Sequence, residues 1–120
     1  REWDDGERSY LSAYQIAREN GTALQRAESA YALCNFYLDR PIQDNDAALE
    51  CADLCLSHLD ADMAQGAQKR LYRMATLNKA SALANNGNID AAKDVLKTYL
   101  EARPGEKDAR EMLEFLKEQS

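Results

Sequence analysis

Residues 73–106 read RMATLNKASALANNGNIDAAKDVLKTYLEARPGE. Apolar and small residues return at helical intervals on both sides of Asn86-Gly87-Asn88. Thr76, Ala80 and Leu83 stand before it; Ile89, Ala92, Val95, Leu96, Tyr99 and Leu100 follow it. Steps of three and four residues keep side chains on one helix face, whereas a half-buried strand needs strict alternation. Asn-Gly alone is a hairpin signal. With helical spacing on both flanks it reads here as the break in a helix–turn–helix. Pro104-Gly105 closes the second helix, because Pro cannot supply a further backbone N–H. The small Ala80 and Ala92 let two helices approach closely, and Leu83 and Leu96 fill the space beside them.

The same spacing extends outward, giving about six helices. The first runs from about Glu2 to Asn20, with Trp3, Tyr10, Tyr14 and Ala17 on one face and Gly21 at its end. Thr22, with Gln25 three residues on, forms a capping box that opens the second. That helix carries Ala27, Ala30, Tyr31, Cys34, Tyr37 and Leu38 and stops before Pro41. Asp44, Asn45 or Asp46 caps the third, which carries Ala48, Leu49, Ala52, Cys55, Leu56 and Leu59. Asp60 and Asp62 are cap candidates for a long fourth helix from about Met63 to Asn85. A sixth runs through Ala109, Met112, Leu113 and Leu116. Connections are short, so successive helices are expected to pack antiparallel.

Positions also recur along the chain. Gly6-x3-Tyr10-x2-Ala13 returns as Ala48-x3-Ala52-x2-Cys55 and as Ala92-x3-Leu96-x2-Tyr99. Ala30-x2-Leu33-Cys34-x2-Tyr37 returns as Thr76-x2-Lys79-Ala80-x2-Leu83. Such recurrence marks a repeat architecture, in which each unit buries its apolar face on the next. Residues 73–106 resemble the tetratricopeptide repeat family. Ala80, Leu83, Gly87, Ala92, Leu96 and Pro104 stand at that family's spacing, with Thr76 in place of its Trp and Tyr99 in place of a small residue. The resemblance implies an all-α fold, a right-handed α-solenoid of antiparallel helix pairs. Residues 1–120 would form a single domain: a half repeat (1–21), two repeats (22–62 and 63–105) and a capping helix (106–120). The copies lie 42 residues apart from Gly6 to Ala48 and 44 from Ala48 to Ala92, against a family period of about 34. A HEAT-like α-solenoid has a comparable period and is the alternative. The start at Arg1 and a first helix with no partner before it lead us to expect a fragment of a larger protein.

Hydrophobic residues make up 45% of the 120, and five Gly and two Pro leave little to break helices. The formal charge of −6 disfavours nucleic acid, whose phosphates demand a basic surface. No run approaches the roughly 20 apolar residues of a membrane span. We therefore expect a soluble, cytoplasmic domain whose partner is a protein or peptide, without nucleic acid or membrane insertion. Residues 1–66 hold 13 acids against 5 bases, net −8; residues 67–120 hold 8 against 10, net +2. Solvated helix faces produce such a polarity, and so does a docking field.

Three cysteines, Cys34, Cys51 and Cys55, do not make a disulfide framework. Cys51, Cys55 and His58 share one helix face and, with Cys34, offer a four-ligand zinc set. No CxxC is present, however, and Cys34 and Cys55 stand where the repeat needs small residues. Burial is their expected role, and neither a metal nor another cofactor is expected. His58, the one histidine, is expected to bond the terminal carbonyls of its helix. Asp44/Asp46 and Asp60/Asp62 precede helices and read as caps. Neither an oriented nucleophile–base pair nor a phosphate-cradling loop stands in the sequence, so enzymatic activity is not expected.

In tetratricopeptide repeats the first helix of each pair lines the concave face. The resemblance therefore implies that Glu28, Tyr31, Asn35 and Leu38 face it from one repeat, and Met74, Leu77, Asn78 and Ser81 from the next. Amides among apolar and aromatic groups suit a peptide: Asn bonds its backbone while Tyr, Leu and Met bury its side chains. Asn35 and Asn78 match two of the five positions of the family's carboxylate clamp for chaperone C-termini. Tyr31 stands where the clamp has Lys, so a chaperone tail is not the expected ligand. The function implied is a protein-interaction module, or scaffold, binding through this groove. A ligand-sensing regulatory domain of a larger signalling protein is the alternative.

Overall fold

The structure, a computed structural model, describes residues 4–39, 42–59 and 66–119. Trp3, Pro41, the cap candidates Asp60 and Asp62, and Met63 lie outside the described residues. Within them the chain forms six α-helices and no strand: α1 (Asp4–Asn20), α2 (Ala23–Leu38), α3 (Asn45–Ser57), α4 (Gly66–Asn85), α5 (Ile89–Ala102) and α6 (Lys107–Gln119).

Local chemistry sets the helix ends. Thr22 Oγ1 accepts from the Gln25 N–H at 3.1 Å, and Gln25 Oε1 accepts from the Thr22 N–H at 2.9 Å. This reciprocal box satisfies two donors that the first turn leaves without helical partners. Asp44 caps α3 by accepting from the Ala47 N–H at 3.1 Å. Asn-Gly forms a helix terminus rather than a hairpin. The Asn88 N–H donates to the Leu83 carbonyl and the Gly87 N–H to the Ala84 carbonyl, both at 2.9 Å, with Gly87 at a φ of 84°. Those are the paired bonds of a Schellman cap, whose left-handed position favours Gly. Gly21 ends α1 for a different reason: a Cβ there would lie 2.6 Å from the Ala17 carbonyl oxygen.

Each helix packs on its neighbours in sequence, and α2 also packs against α4. Small residues make this approach possible. Ala27, Ala30, Ala48, Ala52, Ala75, Ala80, Ala82, Ala92 and Ala109 are wholly buried. Leu33, Cys34, Tyr37, Ala48, Cys51, Ala52 and Ala82 form one core cluster, and Ala27, Ala30, Cys55, Leu71 and Ala75 a second. The third, under α4, α5 and α6, holds Ala80, Ala92, Leu96, Tyr99, Ala109, Leu113 and Leu116. All of the recurring positions of α3 and α5 are in the core. Gly6 of α1 meets the Phe36 ring so closely that a Cβ would lie 3.1 Å from its Cε1. The result is flattened, with extents of 38 × 35 × 17 Å.

Candidate functional site

The α2–α4 contact brings the residues expected to bind into one neighbourhood. Asn78 Nδ2 donates to Asn35 Oδ1 at 2.7 Å, joining two helices across 43 residues of sequence. Each amide keeps further capacity: Asn35 its NH₂ group, and Asn78 its carbonyl oxygen. Tyr31 and Met74, both half-buried, pack on the cluster of Ala27, Ala30, Cys55, Leu71 and Ala75. Leu38 packs against the cluster of Leu33, Cys34 and Tyr37, and Leu77 against the cluster under α4, α5 and α6. Glu28 is exposed and Ser81 half-buried. The face therefore carries an amide pair flanked by half-buried apolar groups and one acid. The expectation that both amides stand ready for a peptide is modified, because each already serves the other.

Cys34 lies under this face and is also bonded to Asn78; burial pushes its thiol up to about 11, against a lesser lowering by that bond. Burial likewise raises Cys51 and Cys55, each to about 12. All three are free and buried. Among the described residues, no group of three or more His, Cys, Asp or Glu is arranged to hold a metal ion. His58 departs from expectation. Its backbone N–H caps α3 on the carbonyls of Cys55 and Leu56, but its ring Nε2 pairs with the Tyr14 hydroxyl at 3.1 Å, tying α1 to the end of α3. Desolvation, then the Arg26 charge, lowers its pKa. A histidine held this way is a bridge between helices.

Two cavities open on the other side of the same helices. At about 100° per residue, Leu33 and Tyr37 point away from Glu28, Tyr31, Asn35 and Leu38 on α2. Tyr72, Thr76 and Lys79 likewise point away from Met74, Leu77, Asn78 and Ser81 on α4. Leu33 and Tyr37 help floor a space of about 530 Å³ between α1 and α3. Tyr72, Thr76 and Lys79 floor one of about 300 Å³ between α3 and α5. In the second, the rings of Tyr72 and Tyr99 stack at 6.2 Å with planes 18° apart. The Arg103 guanidinium lies over both, at 5.2 and 5.4 Å from the ring centroids. Sequence reasoning passed over this trio, placing Tyr99 on the apolar face of its helix and as a large residue where the repeat has a small one. The usable signal was the Tyr99–Arg103 spacing of four, which at the C-terminal end of α5 brings a cation back over the ring.

No family model, curated protein or solved structure matches this chain. Among the described residues no helix is long and apolar enough to cross a membrane.

Proposed function

We propose that this chain is a tetratricopeptide-like, right-handed α-solenoid fragment that binds a peptide or partner protein along the α2–α4 face, in the cytoplasm and without catalysis. The observation that carries the reading is the side-by-side packing of α2 and α4, with Asn35 and Asn78 bonded between them. In a solenoid of helix pairs, the first helices of successive pairs line a common surface. Here α2 and α4 are those helices, and α3 and α5 follow each on its far side. The amide pair offers donors and acceptors to a peptide backbone, and Tyr31, Leu38, Met74 and Leu77 offer partly buried apolar surface to its side chains. The sequence recurrence supports the same register, since its small positions are those that allow helices to pack closely.

Amide hydrogen exchange tests this reading. A peptide selected on the intact chain from a random display library should slow exchange in α2 and α4 around Asn35 and Asn78. Protection confined to α1 or α6 would sink it.

A further inference from the structure

We propose that the cavity between α3 and α5, floored by α4, binds a small organic carboxylate with a flat apolar body. The site is distinct from the α2–α4 face and stands whether or not that face takes a peptide. Its volume of about 300 Å³ sits at the low end of ligand pockets, roughly 300–1,000 Å³. Leu56, Val95, Ala102 and the stacked Tyr72 and Tyr99 rings give it apolar and planar walls. The charged residues that line it, Lys79 and Arg103, are both cations, in a chain whose net charge is −6. Such a lining favours an anion over a neutral molecule of the same shape.

A second observation points to an acceptor. Tyr99 is 5% exposed, and its buried hydroxyl makes no hydrogen bond with any protein group. Unsatisfied buried donors are costly and uncommon in folded chains. A carboxylate accepts only, on two oxygens, so it answers both an unpaired donor and the surrounding positive charge. The phenol is held in its donating form. Desolvation, then Glu106, raises its pKa, against lesser lowering by Arg103 and Arg73. Two acids stand nearby without lining the cavity: Asp53 pairs with Lys79 at 2.8 Å, and Glu106 with Arg73 at 3.8 Å. Asp53 competes with the ligand for Lys79, so a single negative charge is the better match, and apolar contact supplies much of the binding.

Titration of the ¹⁵N-labelled chain with phenylacetate tests the proposal. Saturable shifts are expected for amides of α4 and α5 around Tyr72, Thr76, Val95 and Tyr99. Phenylacetamide, which has the shape without the charge, and inorganic phosphate, which has charge without the body, should each bind at least about tenfold more weakly. Tyr99→Phe should weaken phenylacetate by about tenfold, the scale of one hydrogen bond to a charged group, while its circular dichroism and melting temperature stay at or above wild type. Thr98→Trp, at an exposed rim position, should block the site without disturbing the core. Absence of saturable shifts, equal binding of the amide, or unchanged binding to Thr98→Trp would overturn the proposal. Tighter binding of an acetylated dipeptide ending in a Phe carboxylate would also overturn it, by assigning the site to a peptide terminus.

Discussion

Ala92→Leu puts the helix register under direct test. Ala92 is wholly buried in the cluster that also holds Ala80, Leu96 and Tyr99, where α4 and α5 meet. Leucine adds three carbons where the structure leaves no accessible surface. The two helices must separate, or neighbours must leave their preferred rotamers. Overpacking of this kind costs about 1–3 kcal/mol. For a chain near 120 residues, each kcal/mol lowers the melting temperature by about 3–6 °C. Urea unfolding followed by circular dichroism at 222 nm is a suitable assay, because a lower midpoint at unchanged slope isolates stability from compactness. Ala67→Leu is the control: the same chemical change at an exposed position in the first turn of α4 should stay within about 0.5 kcal/mol. A wild-type midpoint for Ala92→Leu would refute the close α4–α5 contact and the repeat register built on it.

The raised thiols of Cys34, Cys51 and Cys55 predict that a thiol reagent at pH 8 labels the folded chain slowly and the urea-unfolded chain fully. A rapidly labelled thiol in the folded state would contradict their burial. Because the folded thiols titrate above their ordinary value of 9.0, their contribution to stability is intact below pH 9 and is lost as pH rises toward about 11–12. The triple Cys→Ala variant should lose stability less steeply across that window, and identical slopes would refute the linkage. His58 has the opposite sign: its pKa is lowered, so the fold penalises its protonation and stability falls as pH drops through and below 6.5. Replacing it by Gln should flatten the difference between pH 7.5 and pH 5.5 relative to wild type, and an unchanged difference would refute the role given to its half-buried ring. The purified chain should hold no stoichiometric zinc by metal analysis, and one zinc per chain lost in Cys55→Ser would reverse that expectation.

Helix ends were legible because their chemistry is local. Thr22 and Gln25, or Leu83 to Asn88, carry within six residues everything that fixes their geometry. Small core positions were legible too, since Ala48, Ala52 and Ala92 recur at intervals that only a packed helix face requires. The packing of α2 beside α4 was legible from the repeat, but the bonds between them were not. Asn35 and Asn78, or Tyr14 and His58, meet across more than 40 residues, and the separation of α2 from α4 decides whether side chains touch. Spacing alone could not reveal that the two amides bond each other. The cavity under Arg103 was hidden for a related reason: Tyr72 and Tyr99 stack only once α4 and α5 are docked.

Calorimetric titration of one selected peptide against wild type, Tyr31→Ala, Asn78→Ala and Lys93→Ala tests the central claim most directly. Truncating Tyr31 removes a partly buried aromatic anchor and should cost more than about 1 kcal/mol. Asn78→Ala strips one amide from the pair and leaves a peptide group without its partner, which costs on the order of 1 kcal/mol with the fold intact. Lys93 stands on α5, whose neighbours are α4 and α6, and pairs with Asp90 at 3.5 Å, so Lys93→Ala should bind as wild type. Wild-type affinity in both α2 and α4 variants, with loss in Lys93→Ala, would contradict the account and move the binding surface to the other side of the molecule.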